Sequence, residues 1–291
     1  AARRARMPLA LLDAPARRYL PWFRVADCEA SARITVRHLL HQTSGLPTGP
    51  GWEQLAADDG WDEAGERHAR QLATVKLSHP PGAAFQYSNS NYNLLGLIIE
   101  QVSSQPYPER IAECLFAPLL MRHSYTDRAA AQRDGMAAGN RAWFGLPVPA
   151  QRLPEPLGSL PAGQLLSSAE DIAHYLIAHL NGGRYEGAQL LSAGGIGQMH
   201  RGAADAGMFG LKQTYGMGWY DETHDGTRLV WHSGMVPESF AYMALLPEQK
   251  RGIVLLINVN HFIMELTLSE VCAGAAALLA GRPTSRIKLG A

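Results

Sequence analysis

The sequence predicts an α+β protein, an antiparallel sheet flanked by helices with a mainly helical lobe inserted between its parts. Three observations carry that expectation. Up to about residue 181, apolar residues recur at helical spacing between Gly and Pro breakers. Residues 128–165 are instead rich in Gly, Pro and Ala with little period, and after residue 214 the apolar runs become short or alternating, as strands are.

Taken in order, Leu11 to Pro15 and Tyr19 to Trp22 form a proline-punctuated connector. Thr35 caps a short helix carrying Val36, Leu39 and Leu40, which stops near Ser44-Gly45-Leu46-Pro47. A second helix is expected from about Glu63 to Val75. Asn91 to Val102 sets Leu94, Leu95, Ile98, Ile99 and Val102 at helical spacing, and Pro108 to Phe116 repeats the pattern on a smaller scale. Residues 128–165 read as a long ordered loop region. Ser168 to Asn181 reads as a helix stopped by Gly182-Gly183. Arg228 to His232, Ser239 to Leu246 and Gly252 to Val259 read as an antiparallel sheet turning at Pro247 to Lys250, and Phe262 to Leu279 as a helix that covers it.

Lys and Arg number 26, as do Asp and Glu, so no field of one sign points to nucleic acid or an anionic membrane. The expected partner is a small molecule or peptide. Phe262 to Leu279 carries Glu265 and Glu270 and reads as a partly buried helix rather than a membrane span. Cys28, Cys114 and Cys272 are widely spaced without a Cys-x-x-Cys pair and are expected to be buried thiols, with no metal and no cofactor. Ala1 to Arg6 is basic with no apolar core following, so no signal peptide is visible.

The chemistry concentrates at two places. Tyr87-Ser88-Asn89 follows the breaker run His79-Pro80-Pro81-Gly82 and precedes a helix, where a phenol and a carboxamide two residues apart can share proton transfer and substrate positioning. The second place is His232-Ser233-Gly234. Each has a plainer alternative: Tyr87 as a half-buried aromatic, Asn89 as a helix cap, His232 as a strand histidine beside Trp231. Ser44 ends a helix and is expected to bond backbone, and His38 and His41 lack a third ligand and read as structural.

Several segments, in order, resemble the serine β-lactamase-like superfamily of class C β-lactamases, penicillin-binding DD-peptidases and related esterases. They are Ile34 to Pro47, Pro81 to Gly96 with its Tyr-x-Asn, Pro161 to Asp171, Tyr215-Gly-Met-Gly-Trp219, and His232-Ser233-Gly234. The resemblance implies one β-lactamase-like domain over residues 1–291, with about 22–210 as helical lobe and loops and about 211–280 as sheet and C-terminal helix. It implies acyl transfer to water from a β-lactam, a D-amino-acid peptide or a small ester, in a periplasmic or extracellular setting.

Tyr87 would then exchange the nucleophile's proton and Asn89 would hold the substrate. Ser233 and Gly234 would line the substrate strand beside His232, and the Met235 N–H would be an oxyanion donor. A neutral imidazole at His232 attracts a carboxylate less than an ammonium would, which favours esterase or peptidase activity over a dedicated β-lactamase. The superfamily's Ser-x-x-Lys precedes the connector that here lies at Leu12 to Pro15, and no Ser precedes Ser31. The nucleophile is therefore expected upstream of Ala1, leaving the fold incomplete at the N-terminus and this chain inactive alone. Ser285-Arg-Ile-Lys288 has the spacing but sits in a polar tail. The competing expectation is a non-catalytic module of the same fold that binds a cell-wall peptide.

Overall fold

Among the described residues, five helices, those opening at Cys28, Val36, Arg128, Ala169 and Ala193, start where a short polar side chain takes up the first free N–H groups. The computed structural model describes residues 11–54, 61–143, 146–150, 156–207, 212–224, 226–236, 239–260, 271–272, 274–279 and 281. The helices are α1 (Cys28–Arg33), α2 (Val36–Leu40), α3 (Thr48–Gln54), α4 (Trp61–Gln71), α5 (Asn89–Ser103), α6 (Tyr107–Ile111), α7 (Arg128–Arg133), α8 (Leu160–Gly163), α9 (Ala169–Leu180) and α10 (Ala193–His200). The strands are β1 (Ser124–Tyr125), β2 (Asn140–Trp143), β3 (Leu146–Pro149), β4 (Leu166–Ser167), β5 (Arg184–Tyr185), β6 (Ala188–Gln189), β7 (Ala204–Asp205), β8 (Gln213–Tyr215), β9 (Tyr220–His224), β10 (Thr227–Val236), β11 (Ser239–Leu246), β12 (Arg251–Ile257) and β13 (Val259–Asn260). The chain divides into two units, residues 1–110 with 154–164 and 203–206, and the remainder.

The first unit is helical and centres on α5. Its fully buried side chains include Leu20, Phe23, Ile34, Leu39, Leu46, Leu72, Leu94 and Leu160. Thr35 caps α2 in a reciprocal box: its hydroxyl accepts the His38 N–H, and the His38 ring accepts the Thr35 N–H. The Leu11 to Pro15 connector is tied down by a bidentate pair between the Asp13 carboxylate and Arg37 (2.6 and 2.9 Å) and by a bridge from Pro15 to Thr35. A side chain at Gly96 of α5 would collide with Pro161 of α8, so glycine permits that close approach.

The second unit holds the sheet, with β12, β11, β10, β9 and β8 side by side and every adjacent pair antiparallel. Period two along β11 serves both faces. Phe240, Tyr242, Ala244 and Leu246 pack with Cys272 and Ala276 of the C-terminal helix, whereas Leu245 packs with Leu176, Trp219 and Val230 on the α9 side. Residues 271–272 and 274–279 of that expected helix are helical; 261–270 lie outside the described residues.

Two expectations need correction. Residues 128–165 are not mainly loop: α7 is capped by Asp127, whose carboxylate accepts the Ala130 N–H, and β2 and β3 pair as an antiparallel hairpin. The Ala-rich run was too short to show a period, and Pro147 and Pro149 disguised a strand. Nor are all three thiols buried, since Cys28 is exposed, Cys114 half-buried and Cys272 alone buried. Cys28 opens a six-residue helix whose buried residues are Ala30 and Ser31.

Candidate functional site

In the first unit, Tyr87, Ser88 and Asn89 rest on the segment from Gln42 to Thr48. The Ser88 N–H donates to Gln42 Oε1 (2.9 Å), the Ser88 hydroxyl donates to the Pro47 carbonyl (2.9 Å), and the Thr48 hydroxyl donates to the Tyr87 carbonyl (2.7 Å). Asn91 Nδ2 also donates to Gln42 Oε1, and the Ser44 hydroxyl donates to Asn91 Oδ1 (2.6 Å) while accepting the Leu46 N–H (3.1 Å). Ser44 is fully buried with both capacities used, so it is structural. Backbone bonds from Gln86 to Gln42 and from Gly82 to Thr43 close the segment.

The N-cap of α5 is Ser88, not Asn89, which is the first helical residue. The Asn89 carboxamide is half-buried and makes no hydrogen bond among the described residues. Tyr87 is half-buried, and burial pushes its phenol above the ordinary value. It is therefore protonated at neutral pH, the state of a donor rather than a base.

In the second unit, His232 to Met235 lie on β10. The β11 ladder runs to Val236↔Ser239, but the β9 ladder stops at Trp231↔Tyr220. No described strand covers the β9-side edge of Ser233, Gly234 and Met235. Gly234 and Met235 are exposed, and a Cβ at Gly234 would meet nothing within 4 Å. That glycine serves no internal close approach.

His232 has both ring nitrogens engaged. Nδ1 lies 2.7 Å from the Ser233 carbonyl, which can only accept, so Nδ1 carries the proton. Nε2 is then an acceptor, 3.3 Å from the Tyr215 hydroxyl, which donates. Burial lowers the imidazole's proton affinity and the Ser233 carbonyl partly opposes this, leaving His232 neutral near pH 7.

The expected residues thus fall into two groups, Tyr87 with Asn89 in one unit and His232, Ser233, Gly234 and Met235 in the other. Sequence reasoning missed Gln42, Thr48 and Tyr215. Gln42 and Thr48 lie on either side of the Ser44-Gly45-Leu46-Pro47 stop, and Tyr215 opens the Tyr-Gly-Met-Gly-Trp hairpin, but the groups their side chains bond are distant in sequence. His38 and His41 are structural or buried, and no metal-holding group of three or more ligands occurs among the described residues. Ser285 to Lys288 lies outside the described residues.

The sequence model of the family described as Beta-lactamase matches residues 3–269. Protein flp of Staphylococcus aureus (strain MW2) is 29% identical over 248 residues, 84% of this chain and 47% of that protein, so the chain spans about half the length of that relative. Penicillin-binding protein 4 of Amycolatopsis lactamdurans is 30% identical over 284 residues, 93% of this chain and 71% of that protein. Among solved structures, the octameric penicillin-binding protein homologue from Pyrococcus abyssi superposes with a TM-score of 0.75 at 29% identity, covering 96% of this chain and 61% of that one. With a family match over nearly the whole chain and the mixed helix-and-sheet architecture in agreement, this chain belongs to the beta-lactamase family within the serine β-lactamase-like superfamily.

Proposed function

We propose that this chain supplies the proton-transfer and substrate-holding groups of an acyl-transfer site acting on an amide or ester: a β-lactam, a D-amino-acid peptide or a small ester. In this reading a serine hydroxyl adds to the carbonyl, the amine or alcohol leaves, and water then releases the acid. Tyr87, protonated at rest, hands a proton to the leaving group and regains one from the attacking hydroxyl or water. Asn89 offers its carboxamide to the substrate, and Ser233 to Met235 offer a backbone edge for an extended acyl chain. The Met235 N–H is one oxyanion donor, a role whose loss typically costs about 3 kcal/mol.

The attacking hydroxyl belongs in this proposal to a Ser-x-x-Lys pair. That spacing occurs once in the 291 residues, at Ser285 to Lys288, and no role is placed on it. The observation that carries the reading is Gly234, bare on a strand edge that no described strand covers, with open space where a side chain would be. The penicillin-binding relatives support work at or outside the cell surface.

The test uses the full-length protein and p-nitrophenyl acetate. Tyr87→Phe should lower kcat by about 10²-fold or more, the range for loss of a positioned acid–base group. Gly234→Ala should weaken substrate use while leaving the unfolding midpoint in place. An unchanged rate in both variants would sink the proposal. The second reading is a module of the same fold that binds a cell-wall peptide without acylation. It predicts binding of a D-alanyl-D-alanine peptide with no covalent adduct from a fluorescent penicillin on a denaturing gel.

A further inference from the structure

Tyr215 ends β8 and Tyr220 starts β9, joined by a four-residue turn in which Gly216 donates to the Trp219 carbonyl (2.7 Å) and Gly218 takes a left-handed backbone (φ 83°). A side chain at Gly216 would strike the Met199 carbonyl, and the Met217 N–H donates to that same oxygen (2.9 Å), so the turn is pinned to α10. Tyr215 is 1% exposed and its ring meets Tyr220 edge-on at 4.9 Å. So fixed, its hydroxyl reaches His232 Nε2 just past the last β9–β10 rung, Trp231↔Tyr220. Among the described residues, the titratable side chains in ring contact with His232 are Tyr215 from β8 and Tyr220 from β9, while its β11 neighbour Met243 holds no proton.

We propose that Tyr215 is a positioning residue that holds His232 as the Nδ1–H imidazole, and thereby biases the strand from His232 to Met235 toward substrates with no free carboxylate beside the scissile bond. The hydroxyl hydrogen can bond Nε2 only while that nitrogen is unprotonated, so the contact as found favours the neutral Nδ1–H ring, and an imidazolium would keep it only if the hydroxyl turned to accept. With Nδ1–H turned to the Ser233 carbonyl, His232 offers an approaching anion neither net charge nor a spare N–H. Amides and esters with neutral flanks lose nothing at such a site, whereas a terminal carboxylate finds no counter-charge there. The inference rests on the acyl-transfer reading for its substrate step, but not for the state of the ring.

Two measurements test it on the intact protein. Nitrogen-15 NMR, with His232 assigned by loss of its signal in His232→Gln, should show the Nδ1–H tautomer, and Tyr215→Phe should raise the His232 pKa. Calorimetry should compare N-acetyl-D-alanine with its amide. In Tyr215→Phe the affinity ratio should move toward the acid by about threefold to tenfold, as expected for one partly screened charge, and more at pH 5.5 than at 7.5. His232→Lys should move it the same way at both pH values. An Nε2–H tautomer in the wild type, or an unmoved pKa in Tyr215→Phe, overturns the positioning role. A raised pKa with an unmoved ratio overturns the selectivity step. If neither ligand binds any form, the acyl-transfer reading and the selectivity step fail together while the spectra still decide what Tyr215 does.

Discussion

Gln42 holds a left-handed backbone, φ 58°, in a fully buried position. Such a conformation costs a non-glycine residue about 1–2 kcal/mol, and here it brings one amide oxygen to two donors, the Ser88 N–H and Asn91 Nδ2. The strain therefore anchors the peptide between Tyr87 and Asn89. Removing the side chain leaves both donors without an acceptor, at about 1–3 kcal/mol for each buried group. Gln42→Ala and Gln42→Gly lose the same acceptor but differ in backbone strain. Gln42→Gly should be the less destabilised by up to about 1 kcal/mol in urea unfolding. The reverse order would mean that the left-handed turn is not what the native state holds there.

Among the elements, helix starts divide by what the first side chain does. Ser168 caps α9, its hydroxyl accepting the Asp171 N–H (3.1 Å), and the buried Asp171 carboxylate then accepts from the His123 N–H and the Ser124 hydroxyl (2.7 Å each). Ser88 occupies the same position on α5 yet makes no cap bond, because its hydroxyl is turned to Pro47. Ser168→Ala should therefore cost about 1 kcal/mol and Ser168→Asp little, read as a shifted urea midpoint at unchanged slope. A cost equal in both variants would show that the cap is not the hydroxyl's contribution.

The starts of α2 and α9 were legible in sequence because cap and apolar period coincide at Thr35 and Ser168. The α7 helix and the β2–β3 hairpin were not, since Ala and Pro hide the period that would reveal them. In the candidate site, Tyr87, Asn89 and His232 stand out through motif spacing. Gln42 and Tyr215 do not, because their meaning depends on a positive φ and on strand register, which one sequence does not display.

For the whole molecule, a formal net charge of zero at pH 7 leaves no general repulsion at neutrality, and particular buried groups add acid sensitivity of their own. The strongest case is in the second unit, where His179 at the end of α9 and His200 at the end of α10 are both buried, with His179 Nδ1 2.8 Å from His200 Nε2. Trp219 lies 5.1 Å from one ring and 5.3 Å from the other, and Tyr175 covers His179. Burial, with His200 opposing charge beside it, brings His179 down to about 3; burial and Arg228, partly offset by Asp221, bring His200 down to about 4. Both rings are neutral when folded and bind protons near pH 6.5 when unfolded. The unfolded state thus takes up more protons below about pH 6.5, so stability is full above that value and is lost as pH falls toward 4. Each ring contributes up to about 1.4 kcal/mol per pH unit at the steepest point. The exposed His123 has the opposite sign, since Asp134 raises its proton affinity, but solvent screens that pair. Urea unfolding of His200→Gln between pH 4 and 7 should show a shallower acid limb than the parent. A limb of unchanged slope would move the acid sensitivity away from this histidine pair.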